Sequence, residues 1–254
     1  MIVTVTANTG IDYIAFVKEL PRGKTIRATQ MVESISGKPS DASWILGELG
    51  VTSHALGFIA GANGDRAAGF LRDKGVQIDY VPVDGESRRN LILISEEGWQ
   101  TAITTNSLIV TEEHLAQLRA KYIDALKHAS VVVLGGTLPA GMTPAFYVDY
   151  IALARARGIP VIFDAAEPNL SAGLTSYPTI IKPNQDELSG LIGRPVILID
   201  DAYQAGLTLY QQYGTITVTT LGADGGLVVL RDRAYHIPII PVPVVNAAGA
   251  GDAV

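Results

Sequence analysis

The sequence predicts an α/β protein: a mostly parallel sheet with helices on both faces, accompanied by a small all-β unit. Three observations predict it. From residue 107 onward, strand-like and helix-like segments alternate, the pattern of a parallel sheet with crossover helices. Val131-Val-Val-Leu134 is a short all-apolar run, as expected of a strand covered on both faces. Strand-like segments within 11–35 and 86–106 lack the helices that flank the others. The α/β core therefore reads as residues 1–10, 36–85 and 107–254, and the small sheet as 11–35 and 86–106.

The chain has 254 residues, of which 48% are hydrophobic and 17% charged, enough for one sizeable core. A net charge of −6 argues against a nucleic-acid or anionic-membrane surface, so an anionic small molecule would need local Lys or Arg to receive it. There is no cysteine, hence neither disulfide nor thiolate metal site. The N-terminus lacks a basic signal-peptide region, and no apolar run approaches the roughly 20 residues of a membrane span. A cytoplasmic protein is expected.

Ile2, Val3 and Val5 alternate with threonines in an opening strand. Ile11 to Val17 reads as a second, in which Asp12 is the one charge. Thr25 to Ile35 is extended. Pro39 suits the first turn of a helix carrying Trp44, Ile45 and Leu49 inward. Ser53 to Ala60 is a buried strand, and Gly61-Ala-Asn-Gly64 turns into a helix through Ala67, Phe70 and Leu71. Gly75 to Val81 is extended. Arg88 to Ile94 and Trp99 to Thr105 flank Glu96-Glu-Gly98 as a hairpin. Thr111 caps a helix with Leu115, Leu118, Tyr122 and Leu126 on one face. Helices at Pro144–Arg157 and Asp201–Tyr213, another starting at Asn184, and strands at Pro160–Asp164, Thr179–Lys182 and Thr215–Thr220 continue the alternation. Leu227 to Leu230 follows a glycine turn, and proline-punctuated Tyr235 to Val245 belongs near a sheet edge.

Ligands of such sheets bind beyond the carboxyl ends of the strands. Six unusual loops fall on that rim: Gly61 to Gly64, Gly135-Gly-Thr137, Asp164, Lys182-Pro-Asn184, Gly222 to Gly226, and Gly249 to Asp252. In the last, small residues let backbone N–H groups converge on an anion. Asp252 cannot attract phosphate there; it is either a helix N-cap or a base that takes a proton from the attacking group. Asn184 and Glu187, three apart at a helix start, could position a hydrated Mg²⁺ or form a capping box, or both. Lys182 could reach a phosphate as a point charge, and Gly222 to Gly226 could admit a nucleotide. No Gly-x-x-x-x-Gly-Lys-Ser/Thr loop occurs, and His54, His114, His128 and His236 lack ligand spacing.

This order of motifs resembles the PfkB/ribokinase family of carbohydrate kinases, closest to its 1-phosphofructokinase and tagatose-6-phosphate kinase branch. Gly249-Ala-Gly251-Asp252, preceded by Lys182-Pro-Asn184-Gln-Asp-Glu187, carries most of the likeness. The resemblance implies a ribokinase-like three-layer α/β/α core with a β-sheet lid, the lid being used for a homodimer through apolar Ile92, Ile94 and Ile103. It implies ATP and Mg²⁺ and assigns roles. Asp252 is the base, and the N–H groups around Gly249, Ala250 and Gly251 hold the charge on the transferring phosphoryl. Asn184 and Glu187 position Mg²⁺; Lys182, Thr220, Gly222 and Gly225 receive ATP. Asp12, Gly37, Asp41 and Thr137 fall to the sugar, and Lys38 and Arg88 to a phosphate already on it.

Several positions depart from the family. Its Gly-Gly-Lys-Gly-x-Asn is here Ser36-Gly37-Lys38-Pro39-Ser40-Asp41, which removes a donor and adds an anion. Ala247 stands for a usual threonine, and Asp164-Ala-Ala-Glu167 for Asp-x-Ser-Gly. An unphosphorylated sugar or polyol is therefore an alternative substrate, and a noncatalytic sugar-binding protein an alternative class. A dinucleotide oxidoreductase lacks its Gly-x-Gly-x-x-Gly after the first strand. The chain stops at Val254, too soon for a helix behind Asp252; it reads as truncated or incomplete, with weak ATP binding expected.

Overall fold

The computed structural model describes residues 1–105, 108–240 and Gly251. The chain divides into two compact units. One comprises the described residues of Thr6–Leu118 with Pro139–Gly141 and Gly251; the other comprises Met1–Val5, Arg119–Leu138 and the described residues of Met142–Pro243.

Strand β1 (Ile2–Thr6) opens the chain. The Thr6–Leu118 unit then contains β2 (Gly10–Val17), β3 (Ala28–Ser36), helix α1 (Lys38–Glu48), β4 (Ser53–Ile59), α2 (Gly61–Arg72), β5 (Gln77–Ile78), β6 (Val81–Pro82), β7 (Asp84–Gly85), β8 (Arg88–Ser95), β9 (Gln100–Ile103) and β10 (Leu108–Ile109). A four-stranded sheet runs in the order β3-β2-β8-β9. Its central pair, β2 with β8, is parallel, and the outer pairs are antiparallel. The β8–β9 hairpin turns at Gly98, as the sequence predicts. β5 and β6 both pair in parallel with β4, and β7 with β10 in antiparallel.

Odd-numbered residues of β2 face inward first: Ile11 and Ile35 join Ala67, Leu71, Val76 and Tyr80 in a core against α2. Leu49 does not point inward as expected. It follows the last helical residue of α1, just before Gly50 with φ 73°, and lies exposed. Pro39, Ser40 and Ser43 are the buried residues of that helix. The first turn of α2 is filled from within the chain. Glu86 accepts a hydrogen bond from the Asn63 N–H at 2.5 Å, so a carboxylate already sits at the helix's positive end. This gives Gly61 to Gly64 a structural reason to be unusual.

The register corrects the grouping of Ile92, Ile94 and Ile103. Ile103 lies opposite Leu91, so it shares a face with Leu91 and Leu93, while Ile92 and Ile94 point the other way. Ile92 and Ile94 pack with Ile14 in a buried cluster, whereas Ile103 is 52% exposed.

The second unit continues with α3 (Glu112–Ala125), whose later half belongs to it. Then follow β11 (Val131–Gly135), α4 (Ala145–Arg155), β12 (Val161–Asp164), α5 (Asn169–Leu174), β13 (Ile180–Ile181), α6 (Gln185–Ile192), α7 (Ile199–Tyr213), β14 (Ile216–Thr220), β15 (Gly226–Val229) and β16 (Ala234–Ile237). The strands lie in the order β16-β15-β14-β13-β12-β11-β1. β11 to β14 are parallel, and β15 and β16 add antiparallel strands at one side. The expected large, mostly parallel sheet with helices is present. Thr111 caps α3 through its hydroxyl, with the His114 ring returning to the Thr111 N–H. Tyr122 stacks on Tyr150 with ring centroids 4.5 Å apart, and the Tyr122 hydroxyl donates to the Tyr150 carbonyl at 2.9 Å. Burial pushes both phenols well above their ordinary range.

Gly135 ends β11 at φ 153°, and a Cβ there would overlap the carbonyl oxygen of Asp164 on β12. Gly135→Ala is expected to destabilise the protein by about 2–4 kcal/mol, because neither backbone can yield. Gly69→Ala, in the interior of α2 with open space around it, is expected to stabilise by about 0.5–1 kcal/mol. Urea unfolding of both variants checks the pair.

Candidate active site

Two groups of polar residues form, one in each unit. In the second unit they stand at the carboxyl ends of neighbouring parallel strands. Asp164 ends β12, Lys182 follows β13, and Thr220 ends β14. Lys182 Nζ lies 2.8 Å from Asp164 Oδ2, and the two side chains are only 11% and 6% exposed. A pair so little hydrated is held by short contact in low dielectric. Asp164 also anchors its neighbour strand: its carbonyl accepts the Gly136 N–H at 2.8 Å. The Gly135 carbonyl in turn takes the Tyr147 hydroxyl at 2.8 Å, which settles the chain just before Thr137.

Asn184 and Thr220 face each other in a parallel bridge, and the Thr220 N–H donates to the Pro183 carbonyl at 3.2 Å. Asn184 and Glu187 form the reciprocal capping box of α6. Asn184 Oδ1 accepts the Glu187 N–H at 2.8 Å, and Glu187 Oε2 accepts the Asn184 N–H at 2.9 Å. Two hard oxygen ligands on one helix start fit an ion that keeps most of its water. Among the described residues no group of three or more His, Cys, Asp or Glu could hold a metal directly. Beyond Thr220 the chain makes a 3-10 turn, Gly222–Asp224. Gly222 has open space around it. Gly225, at φ 83°, is needed for packing, because a Cβ would overlap the Ile237 carbonyl of β16. The His236 ring meets the Asp224 carbonyl at 2.7 Å and clips the turn to the same strand.

In the Thr6–Leu118 unit, the even-numbered face of the four-stranded sheet carries a polar row. Gly10 lies opposite Ser36 and Arg88, and Asp12 opposite Ser34 and Asn90. Asn90 Nδ2 donates to Asp12 Oδ1 at 2.7 Å and to Ser36 Oγ at 3.0 Å, and Arg88 Nη2 reaches the same hydroxyl at 3.4 Å. Arg88, Ser36 and Asn90 are buried and Asp12 half-buried. Toward the other end the face turns apolar, with Ile14, Phe16, Ile92 and Ile94.

The row leads into the α1 N-terminus, since Ser36 ends β3 and Gly37, at φ 123°, is the N-cap. Lys38 and Asp41 lie in the first turn, where no side chain caps the helix. Ser40 is turned inward. Its hydroxyl donates to Thr6 Oγ1 at 2.8 Å and lies 3.3 Å from the Tyr80 hydroxyl. Burial pushes the Tyr80 phenol up to about 12, and the Asp41 carboxylate adds to the effect against hydrogen bonds from Ser40 and Thr9. Tyr80 therefore remains protonated across the physiological range.

The predicted residues thus gather as Asp12, Gly37, Lys38, Asp41 and Arg88 in one unit and Thr137, Lys182, Asn184, Glu187, Thr220, Gly222 and Gly225 in the other. Gly251 is half-buried in a turn, while Gly249, Ala250 and Asp252 lie outside the described residues. Sequence reasoning missed the Asp164 partnership with Lys182, the buried hydroxyls of Thr6 and Ser40, and Asn90. The signal for Asn90 was available: an amide two residues after Arg88, heading the apolar run Leu91-Ile-Leu-Ile94.

A parallel α/β sheet with polar strand-end loops, in a chain that also carries a second sheet with a carboxylate and a guanidinium on one face, is the framework of a sugar kinase. The chain belongs to the pfkB family of carbohydrate kinases, phosphotransferases whose family model matches residues 2–254. It is similar to the 1-phosphofructokinase of Vibrio cholerae, with 30% identity over 251 residues, covering 99% of this chain and 79% of that protein. The 1-phosphofructokinase of Bacillus subtilis is 27% identical over 254 residues, covering 100% of this chain and 83% of its own. Among solved structures, phosphofructokinase-2 from Escherichia coli in complex with fructose-6-phosphate superposes with a TM-score of 0.86 at 27% identity, covering 99% of this chain and 83% of that one.

Removing one partner of the Asp164–Lys182 pair strands the other charge. Asp164→Asn is expected to cost about 3 kcal/mol of stability, and the double variant Asp164→Asn/Lys182→Met to recover at least half of it. A double-mutant cycle in urea reads the coupling; additive losses would mean that the pair is not energetically linked.

Proposed function

We propose that this chain transfers the γ-phosphoryl group of ATP to a hydroxyl of a ketohexose phosphate, as a 1-phosphofructokinase or tagatose-6-phosphate kinase does. The observation that carries this reading is the polar row on the second sheet. Asp12 and Arg88 share one face, two residues apart along neighbouring strands, with Asn90 between them. A carboxylate beside a buried guanidinium suits a ligand that offers both hydroxyls and a phosphate. The names of the Vibrio and Bacillus relatives, and the fructose-6-phosphate of the Escherichia coli complex, support the same substrate class.

On this reading Asp12 and Gly37 hold sugar hydroxyls, Asp41 and Thr137 also serve the sugar, and Lys38 and Arg88 receive its phosphate. Lys182 keeps its Asp164 partner and offers its remaining N–H donors to an ATP phosphate. Thr220, Gly222 and Gly225 line the nucleotide. Asn184 and Glu187 hold hydrated Mg²⁺, which screens charge on the phosphates when bound. Asp252 takes the proton of the attacking hydroxyl, and the N–H groups of Gly249 to Gly251 stabilise the charge that develops on the phosphoryl oxygens. The four-stranded sheet acts as a lid. Its face with Met31, Leu91, Leu93 and Ile103 is the one offered to a second copy, since Met31 and Ile103 are both exposed.

One observation favours a neutral sugar or polyol instead: Asp41 places a carboxylate in the first turn of α1, next to Lys38, and weakens the field that a phosphate would meet there. Initial rates of ADP release with fructose 1-phosphate, fructose 6-phosphate and free fructose separate the two. Asp252→Asn is expected to lower kcat by at least about 10³-fold while leaving sugar binding within about threefold; equal loss of both counts against a base. Ile103→Glu is expected to yield monomers by light scattering, and an unchanged mass would exclude that face as the dimer contact.

A further inference from the structure

Asn90 is the least explained buried polar residue of the second sheet. Its orientation follows from chemistry. The Asp12 carboxylate only accepts, so the Asn90 group 2.7 Å away is its NH₂. The same NH₂ gives its other hydrogen to Ser36 Oγ. Both donors are thereby used, and the carbonyl oxygen Oδ1 is turned away from them. That oxygen is buried in a residue only 6% exposed and has no hydrogen-bond partner among the described residues. An unsatisfied buried acceptor costs about 1–3 kcal/mol, which a leucine or valine at this strand position would avoid. Ser36 completes the arrangement. Its oxygen accepts from Asn90 and from Arg88, so its own hydrogen is directed elsewhere.

We propose that Asn90 is a specificity-determining residue of the sugar site. Its carbonyl oxygen accepts a hydrogen bond from one hydroxyl of the acceptor sugar, while its amide aims the Asp12 carboxylate at a neighbouring hydroxyl. This rests on the reading of Asp12 as a sugar-binding residue. Asp12 and Asn90 are register partners on adjacent strands, so both side chains rise from the same face of the sheet. A site built of two acceptors demands two donors from its ligand and rejects an analogue that lacks either, because a buried acceptor is then left unpaired.

The test compares the wild-type chain and Asn90→Ala with fructose 1-phosphate, fructose 6-phosphate and fructose, each beside analogues lacking a single hydroxyl. ADP release gives kcat and KM; calorimetry gives sugar affinity. Asn90→Ala is expected to raise KM for the preferred sugar about 10- to 100-fold with kcat changed less than about threefold. It is also expected to erase the preference for that sugar over one deoxy analogue and to leave the other preferences intact. A uniform loss across all analogues, or an unchanged preference, overturns the proposal. The wild-type series decides even if the variant does not fold: a wild type that takes every deoxy analogue as well as its parent has no hydroxyl at Asn90. If no sugar is phosphorylated, the kinase reading fails, yet calorimetric discrimination among the analogues still supports Asn90; binding of none of them overturns both.

Discussion

The ion pair between Asp164 and Lys182 is the constraint on which the strand-end loops of the parallel sheet depend. Asp164 does three things from one position. Its carbonyl accepts the Gly136 N–H, its backbone packs so closely on β11 that residue 135 must be glycine, and its carboxylate holds the ammonium that begins the Lys182-Pro-Asn184 turn. That turn sets Asn184 opposite Thr220 and starts the α6 capping box. Three consecutive strand ends are thus tied by contacts that all pass within a residue or two of one buried acid. Such a cluster is stiff, and stiffness is what a site needs if charged groups are to be aimed before a ligand arrives.

The Ser36 to Asp41 segment shows how the chain accommodates its departure from the family's glycine-rich run. Pro39 is compatible with the first turn of α1, where its missing N–H is not needed by the helix. Ser40 fills inward space and joins Thr6 and Tyr80 in a network of neutral hydroxyls. The helix start is therefore braced from beneath by hydrogen bonds, while Lys38 and Asp41 bring opposite charges into the same turn. The substitutions are locally coherent: the donor lost at Pro39 costs the helix nothing, and the hydroxyl that Ser36 brings in place of a glycine accepts from Asn90 and Arg88.

Legibility in the sequence followed the range of the interaction. The strand–helix alternation, the hairpin at Gly98, the Thr111 cap and the Asn184–Glu187 pair were readable because each depends on residues within a turn or two. Helix α5 escaped notice, since six residues give too little periodicity. Leu49 was placed inward by extending a period past the end of its helix. Ile103 was grouped with Ile92 and Ile94 because alternation within a strand says nothing about register across a hairpin. The contacts that complete the candidate site, Asp164 to Lys182 and Asn90 to Asp12 across 78 residues, join parts of the chain that are not neighbours in sequence, so the partners could not be paired from local pattern.

The Glu86 carboxylate at the start of α2 ties together two segments that are far apart in the chain. The helix begins at Gly61, but the group that satisfies its first turn arrives 23 residues after Asn63, on the approach to β8. Ser87 adds a second tie there, its N–H donating to the Ala60 carbonyl and its hydroxyl accepting the Ala60 N–H. The opening turn of α2 and the entry to β8 therefore supply each other's hydrogen-bond partners. Since Arg88 and Asn90 directly follow, the polar row of the second sheet is anchored by the same contacts that hold the start of a helix on its opposite side.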